Sequence, residues 1–207
     1  ARSQLGYPIF AQAQPNDGHR SLAALEQRGL VFGLITQNVD RLHQRAGQQQ
    51  VLDLHGRLDQ VRCIECDYQS ARSVVQDWLQ QKNPWISTEH VIPAPDGDAD
   101  IELDFNRVKV PECPCCGGIL KPDVVFFGDA VPKTDVAQGY RWVENAQAVL
   151  VVGTSLMVYS SFRFVRKAYE LGLPVMAINQ GKTRGDELFA VKAEINCVQG
   201  LAALVDC

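Results

Sequence analysis

The chain has 207 residues, 46% hydrophobic and 21% charged with a formal net charge of −4, enough for one domain with a real core and a small insertion. The acidic balance argues against a nucleic-acid backbone as a direct partner, and no apolar run reaches the roughly 18 residues of a membrane-spanning helix. No positive-then-apolar leader opens the sequence, so a reducing, cytoplasmic setting is expected, or the mitochondrial matrix if the source is eukaryotic.

Asn16 and Asp17 precede a helical pattern through Leu22, Leu25 and Arg28, which Gly29 stops where a left-handed cap belongs. Residues 30–35 read as a short buried strand, with polar Gln37, Asn38 and Asp40 at its C-terminal end. Residues 73–81 predict a helix. Further on come a strand at 124–127, a helix at 135–146, a strand at 149–152, a Gly153-Thr154-Ser155 turn and a helix at 160–171. A strand at 174–178 ends at Asn179-Gln180-Gly181, and 195–198 is expected as the last strand. Strands alternating with helices predict an α/β fold, a Rossmann-like parallel sheet covered on both faces. Ligands of such sheets bind at the C-terminal strand ends.

Residues 57–120 break that rhythm. They carry two C-x-x-C pairs, Cys63/Cys66 and Cys113/Cys116, the second running into Gly117-Gly118. Four thiolates fill a tetrahedral zinc and leave no open position, so one structural Zn2+ is expected, with two disulfides or reduced core cysteines as the alternatives. Seven cysteines, an odd number, fit disulfide pairing poorly. Cys115, inside the second pair, reads as a bystander. The expected organisation is a partial Rossmann-like domain at 1–56, a small zinc-binding module at 57–120, and the continued Rossmann-like domain at 121–207.

With these residues in view, the chain resembles a sirtuin, the family of NAD-dependent protein deacylases. The matching pieces are Thr36-Gln37-Asn38-Val39-Asp40 with Leu42-His43, then His55-Gly56 and the four cysteines. After them come the run from Lys121-Pro122-Asp123 to Gly128, Gly153-Thr154-Ser155 and Asn179-Gln180-Gly181. Ala94-Pro95-Asp96-Gly97-Asp98 is similar to the branch that includes mitochondrial sirtuin 4 and its bacterial relatives. The family's Gly-Ala-Gly-x-Ser pyrophosphate loop has no counterpart here, so the sequence is expected to be part of a longer protein, with loss of the loop as the alternative, and to be impaired in NAD binding when alone.

The resemblance implies a lysine deacylase that transfers the acyl group to ADP-ribose and releases nicotinamide. It makes His55 the general base, a role suited to an imidazole that titrates near neutrality. Asn38 and Asp40 join it as catalytic residues. Gln37, Asn38, Val39 and Asp40 are implied on the nicotinamide side of NAD. Gly153, Thr154, Ser155, Asn179, Gln180, Gly181 and Cys197 are implied on the adenosine side. An acylated lysine of a protein substrate would bind along Val125, Phe126, Phe127, Gly128, Val158 and Tyr159, as an added strand. Helix capping by Asn38 or Asp40 is the bland alternative. His19, His43 and His90 are given no site role. Rival functions are protein mono-ADP-ribosyl transfer and an acyl-peptide-binding module without turnover.

Overall fold

The computed structural model describes residues 1–87, 91–93, 99–101 and 104–206. In chain order the elements are α1 (Arg2–Gln12), α2 (Asp17–Gln27), β1 (Leu34–Thr36), α3 (Leu42–Arg45), β2 (Val51–Asp53), β3 (Gly56–Cys63), β4 (Gln69–Ala71) and α4 (Arg72–Lys82). They continue as β5 (Val91–Pro93), β6 (Ala99–Ile101), β7 (Leu120–Val124), α5 (Lys133–Glu144), β8 (Val149–Val152), α6 (Tyr159–Glu170), β9 (Val175–Ile178), β10 (Val191–Ala193) and α7 (Cys197–Val205). His90 and the Ala94-to-Asp98 motif lie outside the described residues.

Residues 14–56 and 125–207 form one compact unit, and residues 1–13 and 57–124 the other. The expected division put 1–13 with the nucleotide domain and ended the module at 120. Instead α1 packs on α4 inside the module unit.

In the larger unit every strand pair is parallel. β1 pairs with β2 in the register Leu34↔Val51 to Thr36↔Asp53, and a second sheet has the order β10-β9-β8. Alternation along β8 and β9 sorts their side chains to two faces. Val151, Val175 and Ala177 join Phe164, Val165 and Ala168 of α6 in one core cluster. Leu150, Val152 and Ile178 join Leu22 and Leu25 of α2 and Leu201 of α7 in the other. A sheet covered on both faces is what the near-continuous apolar strands demand. Gly139 lets α5 lie close on α6, since a Cβ there would stand 2.5 Å from Phe164 Cε1.

The helix from Asn16 forms as expected. Asn16 Oδ1 accepts from His19 N at 3.2 Å, a cap for one of the unpaired first-turn amides. Three strand expectations are corrected. Residues 30–33 are not strand, because Leu30 N and Val31 N both donate back to Leu25 O and finish the helix end past Gly29, whose φ is +73°. The strand placed at 124–127 lies instead at Leu120–Val124, in the module's sheet, and Asp129 N donating to Phe126 O at 2.9 Å turns the chain just after it. Residues 195–198 open α7 rather than a strand. Asn196 Oδ1 caps that helix from Val198 N at 2.9 Å, and the last strand is β10.

In the smaller unit β4, β3 and β7 form a sheet in that order, with β3 and β4 antiparallel, and Val61, Val75 and Leu79 fill its core. Arg72, 2% exposed, stacks 4.4 Å over the Tyr7 ring and donates to Ser3 O and Oγ at 2.8 Å. Buried Asn83 donates to Lys109 O and accepts from Lys109 N, both at 2.7 Å, and so joins the chain on either side of residues 84–108.

Candidate active site

His55 follows β2, where the chain turns through Gly56 at φ +80°. Its ring is half-buried, with Nε2 2.8 Å from Ser160 Oγ at the start of α6. Burial holds the imidazole pKa below its usual value, and a hydrogen bond to the Gln37 backbone opposes that shift. The neutral ring, the form that accepts a proton, therefore dominates near pH 7. His55 O accepts from Val125 N at 2.9 Å, which sets Val125 beside the histidine.

Gln37 leaves the C-terminal end of β1 and joins the two sheets of this unit. Its Nε2 donates to Thr154 Oγ1 at 3.0 Å, and its Oε1 accepts from Ser161 Oγ at 3.0 Å. The expected nicotinamide-side and adenosine-side segments thus meet through one amide. Asn38 is exposed, and its backbone N donates to Thr36 Oγ1 at 3.1 Å. Asp40 Oδ1 accepts from Leu42 N at 2.9 Å, a short-turn bond of the bland kind. Val39 is half-buried between them. Beside this turn, the His43 pKa is lowered to about 4, chiefly by burial and then by His19, whose ring centroid is 4.7 Å away.

The ends of β8 and β9 converge. Gly153, at φ +60°, donates from N to Ile178 O at 3.1 Å, and Arg184 N donates to Ser155 O at 2.9 Å. A Cβ at Gly153 would come 3.6 Å from Cys197 Sγ, so the turn and the start of α7 are neighbours. Asn179 is buried, with Nδ2 on Gln180 O at 2.9 Å, and Gly181 follows at φ +76° with open space where a Cβ would stand. Backbone amides, hydroxyls and side-chain-free glycines at parallel strand ends fit the phosphate and ribose groups of a dinucleotide.

Phe126, Phe127, Gly128, Val158 and Tyr159 are all exposed, Phe127 completely. Phe126 N donates to Asp129 Oδ2 at 3.2 Å, which shapes the turn that displays Phe127. A cavity of about 390 Å³ lies between this turn, α5 and α6, lined among others by Asp129, Lys133, Tyr140, Ser160 and Arg163.

In the smaller unit the Sγ atoms of Cys63, Cys66, Cys113 and Cys116 all lie within 4.8 Å of one another. Cys63–Cys116 and Cys66–Cys113 are 3.6 Å apart and Cys66–Cys116 3.5 Å. Zinc–sulfur bonds of about 2.3 Å at tetrahedral angles place sulfurs roughly 3.8 Å apart, so the four fit one zinc ion. They are free thiols and not disulfides. Cys115 is exposed and outside the cluster, as its spacing implied.

Ser160 and Ser161 are the contacts that the sequence reading missed. Both fall at the expected start of a helix, where serine is ordinary, and their partners are 105 and 124 residues away. A serine pair four residues beyond the Gly-Thr-Ser turn is the available signal.

A model of the Sir2 family matches residues 4–160. An NAD-dependent protein deacetylase of Bordetella bronchiseptica is 54% identical over 206 residues, covering 99% of this chain and 75% of that protein. One from Xanthomonas axonopodis is 54% identical over 205 residues, covering 99% of this chain and 70% of that protein. Among solved structures, a Sir2 with a p53 peptide and NAD+ is similar at a TM-score of 0.77 and 28% identity, over 96% of this chain and 72% of that one. A Sir2 bound to an acetylated peptide is similar to the same degree.

Proposed function

Because the chain belongs to the Sir2 family, we infer that it is an NAD-dependent protein lysine deacylase, which moves the acyl group from lysine to ADP-ribose and releases nicotinamide. The observation that carries this reading is 54% identity to named NAD-dependent protein deacetylases over 99% of the chain. Bound NAD supplies the sugar carbon that receives the acyl oxygen and the ribose hydroxyl that gives up a proton. The chain's own residues hold these groups and move that proton.

His55 serves as the general base. Its neutral ring, kept so by burial, is ready to take the hydroxyl proton at neutral pH. Gln37, Asn38, Val39 and Asp40 hold the nicotinamide side. The Gln37 amide, fixed by Thr154 and Ser161, keeps this loop in register with the adenosine side at Gly153, Ser155, Asn179, Gln180, Gly181 and Cys197. The exposed segments at 126–128 and 158–159 take the acylated lysine peptide as an added strand, with Val125 beside His55 for the acyl group. One zinc, held by Cys63, Cys66, Cys113 and Cys116, supports the smaller unit and stays out of the chemistry. The bacterial relatives support a cytoplasmic location, and the net charge of −4 favours protein substrates over a nucleic-acid backbone.

Mass spectrometry of the native-length protein with NAD and an acetyl-lysine peptide tests this reading. Deacylation removes acyl mass from the peptide and yields acyl-ADP-ribose. Addition of ADP-ribose mass to a protein, with the peptide unchanged, overturns it in favour of ADP-ribosyl transfer.

A further inference from the structure

We propose that Ser160 relays the proton from the substrate hydroxyl to His55, a proposal that rests on the reading of His55 as the general base. An imidazole has two nitrogens, and the fold engages both sides of this ring. One contact is the hydrogen bond to the Gln37 backbone, and the other is Nε2 to Ser160 Oγ at 2.8 Å. A ring N–H that donates to the Gln37 carbonyl leaves Nε2 with its lone pair in the neutral ring, so the Ser160 hydroxyl donates to it. A reacting group then reaches His55 only by displacing Ser160 or by passing its proton through it.

The position of Ser160 favours passage. It lines the 390 Å³ cavity with Lys133 and Arg163, and His55 is not among that cavity's lining residues. Ser160 therefore joins the base to an open space, from which its hydroxyl can be reached. It sits in the first turn of α6 beside Ser161, whose hydroxyl proton is shared between Gln37 Oε1 at 3.0 Å and Val158 O at 3.1 Å. The same helical turn thus holds the base through one serine and the Gln37 amide through the next. A hydroxyl also suits both states of the ring, as donor to the neutral form and acceptor from the protonated one.

The step balances. The substrate O–H bond breaks as a new Oγ–H bond forms, while the original Oγ proton leaves to form Nε2–H. The products are a substrate alkoxide, which goes on to attack the acyl carbon, and an imidazolium. The serine is unchanged.

The test uses the native-length protein, NAD and an acetyl-lysine peptide, with Ser160→Ala and Ser160→Thr variants. Acyl transfer is compared with exchange of labelled nicotinamide, a step that precedes proton removal. The relay predicts that Ser160→Ala lowers acyl transfer by roughly 10²-fold, far more than it lowers exchange, and that Ser160→Thr restores most of the loss. In mixtures of light and heavy water the wild type should show two protons in flight and Ser160→Ala one. Turnover by Ser160→Ala that is unchanged or faster would mean that the serine blocks the base, and would overturn the relay. Equal loss of exchange and transfer would also overturn it, by assigning Ser160 to binding. No acyl transfer by the wild type overturns the deacylase reading itself, and this proposal with it.

Discussion

Gln37 Nε2 donates to Thr154 Oγ1 at 3.0 Å, joining the loop after β1 to the turn after β8 across 117 residues of sequence. The same amide accepts from Ser161, so one side chain ties together the two segments proposed to hold NAD. Replacing Gln37 with Leu removes two hydrogen bonds and leaves polar partners inside the fold. The expected loss is about 1–3 kcal/mol of stability. Thermal melts of Gln37→Leu, Thr154→Val and the double variant should be non-additive, because the two single changes break the same bond. Additive losses would show that the bridge carries no coupling.

The four-cysteine cluster predicts one zinc per chain, measurable by metal analysis of the purified protein. Cys113→Ser should lose the metal and unfold the smaller unit, since binding at a structural zinc site is folding free energy. Cys115→Ser should keep it, because Cys115 lies outside the cluster. A Cys115→Ser protein without zinc would contradict the ligand assignment.

His43 is held neutral by burial, with its pKa lowered to about 4 against an unfolded value near 6.5. Between those values the unfolded chain binds more protons than the folded one. The stability gained from keeping His43 neutral is thus fully present above about pH 6.5 and is lost as the pH falls toward 4. Urea midpoints should drop across that window, and His43→Gln should make the drop shallower. His19, also depressed by burial, supplies a remaining slope of the same sign. An identical slope in the variant would remove His43 as its source.

Two glycines should respond oppositely to alanine. A Cβ at Gly139 would stand 2.5 Å from Phe164 Cε1, in a core with no room to move, so Gly139→Ala should cost about 1–3 kcal/mol despite the better helix propensity of alanine. Gly6, inside α1, has nothing within 4 Å of a built Cβ, and Gly6→Ala should stabilise by about 0.5–1 kcal/mol. Shifts in Tm of opposite sign check both.

What was readable in the sequence follows from where its signals are local. α2, α4, α5 and α6 carry apolar periodicity and end signals, and β8 and β9 are short apolar runs between turns, so each forms close to its expected place. α7 runs against its local signal, because its opening Cys197-Val198 looks like a strand end. Its Gly200 reads as a break, yet it lets the helix sit on Ile178, whose Cγ2 would be 2.6 Å from a Cβ. α1 stayed hidden for another reason. It contains Gly6 and Pro8 and buries the polar Gln4 rather than an apolar stripe. The cysteine ligands were legible from spacing, whereas Ser160 meets His55 only because β2 and α6 come together in the fold. No spacing rule reaches across 105 residues.

The most direct test of the account is the mass balance of acyl transfer by the native-length protein and its His55→Tyr variant, with NAD and an acetyl-lysine peptide. Deacylated peptide and acyl-ADP-ribose are expected in equal amounts from the wild type, and neither product from a variant that still folds and binds zinc. Undiminished turnover in the variant would contradict the assignment of His55 as the base on which the site depends.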